Sequence, residues 1–292
     1  MTWFGKRISF RRLADRAIEF ASTLAALTAA AIVLLILAFI TIEAWPALRD
    51  PGPARFVTDR TWFPLSGQFG LLPMLTASVL TTIGAVLLAA PPGIASALWV
   101  RYWAPPSLAW FHRRAIAILA GTPSVVFGQW GLVVLAPLIA AWGGSGQSLL
   151  TAVIVLALMT LPTIALASDA ALGSIDDELV RGGAALGLGR WGIASRVVLP
   201  AARSSLLAGI LLAAARAVGE TMAVLMVAGN VPNFPESLLA PVRTLTANMA
   251  LEMGYASASH RSILFVSGLL LMVAVAIPYL LATIARPRSD HG

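Results

Sequence analysis

Two ionisable side chains, Arg216 and Glu220, stand in a stretch of the sequence that is otherwise apolar enough to lie in a membrane. A charge at the centre of a membrane-spanning helix costs about 2.5–3.5 kcal/mol on insertion scales, so such residues usually serve a function. A spacing of four places both side chains on one face of a helix. Arginine before glutamate is the less favourable order for a helix-stabilising pair. The pattern therefore indicates a role other than supporting the helix, and the alternative is a buried structural pair.

The composition indicates an integral membrane protein. The chain has 292 residues, of which 59% are hydrophobic and 11% charged, with a mean hydropathy of +0.86. A soluble domain usually carries about 25% charged residues. The chain contains no cysteine, which excludes disulfides and thiol chemistry. The net charge of +7 comes from basic residues that mostly flank apolar runs, so it is a topology signal and no nucleic-acid partner is expected.

Uncharged runs of about 20 residues or more predict an all-α protein with six transmembrane helices. The third and fourth spans are divided by the turn at residues 143–147. The predicted spans are 20–42, 72–100 with Pro91-Pro92 inside it, two within 115–168, 199–228 and 262–285. Fourteen basic residues fall in one set of connecting segments and five in the other, which predicts that both termini are cytoplasmic. The first span is too long for a signal peptide.

The segment between the fourth and fifth spans has the pattern of a docking loop. Acidic residues at 176–178 precede a helix-forming run, as the N-terminus of a helix favours. Gly187 allows a turn, and Leu199-Pro200 is expected to open the next helix. A short helix without catalytic groups suits contact with a partner protein.

This loop resembles the Glu-Ala-Ala loop of ABC importer permeases, because Gly187, Val197, Leu199 and Pro200 fall at the matching spacing. Arg181 occupies the acidic position of the motif, and Glu178 lies one turn earlier as the nearest carboxylate. The resemblance implies that the short helix sits in a cleft on an ATPase subunit and transmits its closure. The residues assigned to this coupling are Glu178, Arg181, Ala184, Ala185, Gly187, Leu199 and Pro200.

Three further segments resemble the C-type permease subunit of phosphate ABC importers. They are 122–132, 216–224 with Gly229-Asn230 after it, and 243–250. The likeness extends from about residue 72 to 286 and implies the type I ABC importer permease fold in the inner membrane of a bacterium. It divides the chain into 1–71 with the first span and an outer loop, a permease core 72–286 with a coupling loop at about 172–198, and a cytoplasmic tail 287–292. Sulfate and molybdate permeases share the Arg-Ala-x-Gly-Glu core and remain the alternative, but the residues 221–224 after it point to phosphate.

The resemblance also implies a substrate pathway and a set of partners. A guanidinium suits phosphate oxygens, so Arg216 is expected to be a transient anion contact. Glu220 would hold Arg216 between substrates or accept a hydrogen bond from protonated phosphate, and Thr221 and Asn230 would add polar contacts. The implied partners are an A-type permease, two copies of an ATP-binding subunit, a phosphate-binding protein and membrane lipid.

The chain itself is predicted not to be an enzyme. A phosphate-binding P-loop needs Gly-Lys-Ser/Thr, and the single lysine, Lys6, is followed by Arg7. No bound cofactor or metal is expected, since the histidines are scattered, and ATP would be used by the partner subunits. Asp169 is expected to be a solvated charge at a span end. A secondary anion transporter is the alternative from another class, although no inverted repeat is visible.

Overall fold

The computed structural model describes residues 3–50 and 52–285, and its regular structure is almost entirely helical. The predicted tail 287–292 lies outside the described residues. In chain order the elements are α1 (Trp3–Arg49), α2 (Pro53–Thr58), β1 (Trp62–Phe63), β2 (Gln68–Phe69), α3 (Leu72–Tyr102), α4 (Pro106–Gly121), α5 (Ser124–Ala140), α6 (Leu149–Gly173), α7 (Asp177–Ala185), α8 (Arg190–Val218), α9 (Met222–Val227), α10 (Leu245–Glu252) and α11 (Ala258–Ala285). Strands β1 and β2 form a small antiparallel hairpin that pairs Trp62 with Phe69.

The prediction of six membrane spans is confirmed, with one change. Helices α1, α3, α6, α8 and α11 are each long and apolar enough to cross a membrane. The sixth span is formed by α4 and α5 together, which meet at an angle of 90°. Residues 115–121, predicted to begin the third span, form the last part of α4, directly before the bend. The bend falls at Thr122, which is extended because Pro123 disfavours helical backbone before it.

The predicted fifth span is interrupted. Helix α8 ends at Val218 and α9 begins at Met222, so Glu220 lies in a break between two helices. Gly219 weakens the helix there, and Glu220 Oε1 accepts a hydrogen bond from the backbone N–H of Ala223 at 3.3 Å, as a capping group would. The prediction that Arg216 and Glu220 share a face of one continuous helix is therefore wrong.

A second correction concerns Leu199-Pro200, which does not open a helix. Both residues lie inside α8, directly after a π-helical turn over Ala194–Val198. Proline lacks the N–H of a regular α-helical bond and its ring crowds the carbonyl four residues back, so a widened turn accommodates it. Helix α5 shows the same arrangement, with a π-helical turn at Gly131–Leu135 before Pro137.

Close packing of α3 on α6 forms the centre of the bundle. A Cβ on Gly84 would lie 2.9 Å from Val153 Cγ2, and one on Gly93 would lie 2.9 Å from Ile164 Cγ2. Glycine at these positions lets two helices approach to a distance that larger residues prevent. Helix α1 stands outside this core and packs on α11, where Phe39 meets Phe265 edge to face with ring centroids 5.6 Å apart.

The bundle has two ends that are distinguished by their contacts. At the end we call the hairpin end, Arg261 at the start of α11 lies 3.7 Å from Glu43 near the end of α1. At the opposite end, called the α7 end, Arg101 near the end of α3 pairs with Asp169 near the end of α6. Helix α1 consequently begins, and α11 ends, toward the α7 end, so the two ends of the described chain lie on the same side.

Gly131 offers a test of the core. A Cβ at this position would lie 2.5 Å from Val155 Cγ2 and 3.0 Å from Val227 Cγ1, both on stiff β-branched side chains. We expect Gly131→Ala to lower the free energy of unfolding by about 1–3 kcal/mol through overpacking. The melting temperature of the detergent-solubilised protein measures this. Gly182→Ala, where a Cβ would meet no atom within 4 Å, is the control and should not lower it; equal melting temperatures for both variants would contradict the packing described.

Candidate functional site

Arg216 lies in the last turn of α8 and faces a cleft between α8 and α6. The guanidinium is exposed in the single chain, and its Nη1 lies 3.5 Å from Thr163 Oγ1 on α6. The cleft is open on one side, and the space it encloses is small, about 10 Å³. Apolar and polar residues line it in equal number: Leu156, Met159, Ala213 and Ala217, with Thr160, Thr163, Arg216 and Glu220. The arrangement presents one fixed positive charge on a cleft with low-dielectric walls, which strengthens its attraction for an anion.

Glu220 also lines this cleft, but it does so from the break between α8 and α9 and not from the face of a continuous helix. Its side chain is half-buried, and Oε1 is engaged with the start of α9 through the N–H of Ala223. Among the described residues, neither Arg216 nor Glu220 has an ion-pair partner within 4.0 Å. The alternative of a buried Arg216–Glu220 structural pair is therefore not what this structure shows. The donors of Arg216 remain available for a ligand with oxygen acceptors.

Thr221 and Asn230 do not line this cleft. The Thr221 hydroxyl lies 3.3 Å from the carbonyl of Gly219 within the helix break. Asn230 has a left-handed backbone with φ of 57°, and its Nδ2 donates to the carbonyl of Leu225 at 2.7 Å. An asparagine in this conformation is a common way to end a helix. The contacts of both residues are structural, and their predicted roles in a substrate pathway stay predictions.

The docking loop has the predicted helix and turn. Asp176 caps α7 by accepting a hydrogen bond from the N–H of Glu178 at 2.8 Å, and two acidic residues occupy the first turn, where they favour the helix dipole. Gly187 has φ of 79°, a conformation that favours glycine. Helix α7 rests on α8 through Gly183, whose Cβ position lies 3.4 Å from Val197.

The opposite side of this loop exposes large apolar side chains. Leu179, Leu186 and Trp191 are 51%, 84% and 69% exposed. The predicted coupling residues Glu178, Arg181, Ala184, Ala185, Gly187 and Pro200 are exposed as well, whereas Leu199 is half-buried. Exposed apolar groups rimmed by charges mark contact surfaces, so the loop has the character of a protein-docking site.

Asp169 is not the solvated boundary charge that was predicted. Its carboxylate lies 3.1 Å from Arg101 Nη2 and 2.9 Å from Arg113 Nε, which joins α6 to α3 and α4. Arg101 also donates to the backbone carbonyl of Asp169 at 3.0 Å. This carboxylate between two guanidinium groups anchors α4, the helix that precedes the 90° bend, at the α7 end.

Sequence reasoning missed a buried charge cluster at the hairpin end. The Glu252 carboxylate accepts hydrogen bonds from Trp62 Nε1 at 3.0 and 3.1 Å and from Arg243 Nη1, and His260 Nε2 lies 2.9 Å from it. Glu252 is 6% exposed and His260 7% exposed. His260 lies in the first turn of α11, which begins before residue 262, the predicted start of the last span. Trp62 and Glu252 are 190 positions apart in the chain, so no local spacing could have revealed the cluster.

The amino-acid sequence is similar to those of membrane transport proteins. Residues 89–291 match the family model described as binding-protein-dependent transport system inner membrane component. The chain is 40% identical over 227 residues to the "Probable ABC transporter permease protein YqgH" of Bacillus subtilis, with 76% of this chain and 74% of that one covered. It is 34% identical over 284 residues to the "Phosphate transport system permease protein PstC" of Mesorhizobium japonicum, with 88% and 86% covered.

Solved structures show the same fold. A chain of a bacterial alginate ABC transporter in complex with an alginate pentasaccharide-bound periplasmic protein aligns with a TM-score of 0.64 at 15% identity, covering 95% of this chain and 98% of that one. A chain of the inward-facing MetNI methionine ABC transporter aligns with a TM-score of 0.56 at 17% identity, covering 78% of this chain and 100% of that one. At these identities the likeness concerns the path of the backbone.

The Asp169 cluster yields a prediction about stability. Asp169→Asn removes the charge shared by Arg101 and Arg113, so we expect the free energy of unfolding to fall by about 1–2 kcal/mol, an amount limited by the partial exposure of the three side chains. Thermal unfolding of the solubilised protein measures the loss. Glu43→Gln is the control, because its partner Arg261 is 55% exposed and 3.7 Å away. A loss in the control as large as that in Asp169→Asn would contradict this assignment.

Proposed function

The chain belongs to the family of binding-protein-dependent transport system inner membrane components, and we propose that it is the transmembrane permease subunit of an ATP-driven phosphate importer. It has the type I ABC importer permease fold in a bacterial inner membrane. The observation that supports an anionic substrate is Arg216, a guanidinium without an ion-pair partner among the described residues, at a cleft between α8 and α6 that is exposed in the single chain. Several relatives at 30% identity or more are named phosphate transport permeases.

The chemistry of the cleft suits a phosphate anion in transit. Arg216 supplies a permanent positive charge and a planar set of donors that match phosphate oxygens. Thr163, 3.5 Å from Arg216, adds a hydroxyl to the same wall. One cation and few polar groups bind an anion weakly enough for release, and the nearby Glu220 opposes tight binding of a fully deprotonated phosphate.

The open shape of the cleft supports a partner permease. Arg216 is exposed although it belongs to an apolar helix, and exposure of a charge to lipid would be costly. We place an A-type permease against this side, so that each chain forms half of the pathway. A phosphate-binding protein would deliver the substrate at the hairpin end, which we assign to the outside of the membrane because basic residues are concentrated toward the α7 end.

The docking loop supports an external source of energy. The sequence lacks the Gly-Lys-Ser/Thr of a P-loop, so this chain would not hydrolyse ATP by that route. Leu179, Leu186 and Trp191 give α7, the following turn and the start of α8 an apolar contact surface. We assign this surface to one of two ATP-binding subunits, whose closure would move α7 and, through Gly183 and Val197, the start of α8. Arg216 stands at the other end of that helix.

The substrate is tested by uptake of labelled phosphate in cells with and without this chain, with sulfate and molybdate as competitors. Loss of phosphate uptake on deletion, and no competition by the other oxyanions when the chain is present, is the expected result. If deletion abolishes sulfate or molybdate uptake instead, the chain is still an importer permease but its substrate is that oxyanion and not phosphate. Phosphate uptake that depends on the chain but persists without any ATP-binding subunit would favour a secondary anion transporter.

The role of Arg216 predicts a specific loss of transport. Arg216→Gln and Glu220→Gln should each lower the rate of phosphate uptake roughly tenfold or more, since the positive charge and its neighbouring carboxylate are lost from the cleft. Assembly with the ATP-binding subunit, measured by co-purification, should be retained. Arg203→Gln is the matched control, because Arg203 is an exposed arginine of the same helix outside the cleft. Normal uptake by both cleft variants would refute the pathway role, and loss of assembly would identify a structural role.

The docking surface predicts a loss of partner binding. Leu186→Asp places a charge in the most exposed apolar residue of the loop, so we expect the amount of ATP-binding subunit that co-purifies with the chain to fall by about tenfold. Leu238→Asp, at a residue 60% exposed near the hairpin end, is the matched control and should leave co-purification unchanged. If Leu186→Asp binds the subunit as well as the unaltered chain does, the surface lies elsewhere.

A further inference from the structure

The helix break at Gly219–Thr221 leaves backbone groups that a membrane interior cannot solvate. An unsatisfied carbonyl in an apolar environment costs several kcal/mol, so each freed group must find a partner in the protein. The carbonyl of Glu220 accepts a hydrogen bond from the Thr246 hydroxyl at 2.9 Å. Thr246 is 5% exposed and lies in α10, more than twenty residues along the chain. Glu220, which borders the cleft, is therefore held in position by α10, a segment distant in sequence.

The same segment holds the other end of α9. Arg243 Nε donates to the carbonyl of Asn230 at 2.8 Å, and the N–H of Val242 donates to the carbonyl of Ala228 at 2.8 Å. Helix α9 is thus fastened before its first residue by Thr246 and after its last residue by Arg243. We call residues 242–252 the brace.

The brace is itself fixed to the bundle at both of its ends. At its start, the N–H of Leu245 donates to Ser78 Oγ on α3 at 2.9 Å. Thr244 caps α10 by accepting from the N–H of Ala247 at 3.3 Å, and its hydroxyl lies 3.1 Å from that of Thr246. The Thr246 hydroxyl donates to the backbone carbonyl of Glu220, so it is free to accept a hydrogen bond from the Thr244 hydroxyl. The two hydroxyl groups thus form a short hydrogen-bonded chain that ends at Glu220.

At its far end the brace terminates in the buried charge cluster. Arg243 Nη1 donates to Asn248 Oδ1 at 3.0 Å and to Glu252, and Glu252 in turn contacts Trp62 of the outer hairpin and His260 of α11. A carboxylate and a guanidinium with side chains only 7% and 15% exposed are costly to separate, so this contact holds the hairpin, α10 and the start of α11 together. Movement of the hairpin end is thereby connected to the position of Glu220.

We propose that Thr246 and Glu252 are positioning residues for transport: Thr246 sets the position of Glu220 at the cleft, and Glu252 ties that position to the outer surface. The proposal rests on the proposed function, in which the cleft at Arg216 and Glu220 is the substrate pathway. Displacement of the hairpin or of the start of α11, where a binding protein would dock, acts through Glu252 and the brace on the helix break. Neither residue contacts the substrate.

The test compares three substitutions in the complete transporter. Thr246→Val keeps the shape and removes the hydroxyl, so the maximal rate of phosphate uptake should fall by about fivefold or more. Thr246→Ser keeps the hydroxyl and should restore uptake to within about twofold. Thr81→Val is the matched control: Thr81 is 1% exposed, and its hydroxyl bonds at 2.7 Å to the carbonyl of Ala77 in its own helix, so uptake should be unchanged.

A second readout follows the helix break directly. The chain contains no cysteine, so Met222→Cys places a unique thiol at the 47% exposed first residue of α9. Its rate of reaction with a maleimide should rise by about threefold or more when combined with Thr246→Val or with Glu252→Gln, because a loosened brace frees the break. Combined with Thr246→Ser or Glu43→Gln the rate should not change.

The outcomes separate the two proposals. If phosphate uptake does not depend on this chain at all, the proposed function fails and the brace is judged by thiol reactivity alone. If uptake depends on the chain but Thr246→Val transports normally, or Thr246→Ser is as impaired as Thr246→Val, the brace proposal is overturned. Should Thr246→Val not assemble, unchanged uptake and unchanged thiol reactivity in Glu252→Gln would overturn it in the same way.

Discussion

The requirement that every backbone polar group in a membrane find a partner within the protein governs the centre of this molecule. The chain breaks a membrane helix at Gly219–Thr221, within one turn of Arg216, and the freed groups are satisfied by contacts from several places. Glu220 accepts from the start of α9, and Thr246 donates to the carbonyl of Glu220. A continuous helix would have needed neither of these two hydrogen bonds. The break therefore explains why a loop helix such as α10 is packed into the bundle.

The same break explains the state of Arg216. On an uninterrupted helix, Glu220 would have stood one turn away and could have neutralised it. In the structure Glu220 turns to the next helix, and the guanidinium faces an open cleft with Thr163 beside it. A buried ion pair is weak evidence for stability and poor at binding a third charge. Separating the two charges while keeping them on one cleft suits the passage of an anion, which must bind and then leave.

Charges elsewhere in the chain stabilise its two ends. At the α7 end, Asp169 is shared by two arginines and fixes α4 across the ends of α3 and α6. At the hairpin end, Glu252 is shared by Arg243, His260 and Trp62. Each carboxylate joins side chains of three different segments, at least one of which is remote in sequence. Between these two anchored ends the bundle is held by close contacts at glycine, as where Gly84 meets Val153.

The amino-acid sequence was sufficient to predict the membrane location, the number of spans, the helix of the docking loop with its turn at Gly187 and the cation at Arg216. These features follow from local properties: apolar length, the capping preference of acidic residues, the conformational freedom of glycine, and a charge where charges are costly. The family resemblance also followed from local motifs, and the comparisons agree with it.

Four features depend on contacts between distant segments and could not be predicted from the sequence: the break that separates Glu220 from Arg216, the bend at Thr122, the shared Asp169 and the Glu252 cluster. Proline and glycine permit a break but do not require one, as Pro200 inside α8 shows. Whether a helix continues depends on partners for its freed groups, and those partners, such as Thr246 for Glu220, come from distant segments. A buried charge cluster likewise depends on which segments pack together, and single-sequence periodicity carries no information about that.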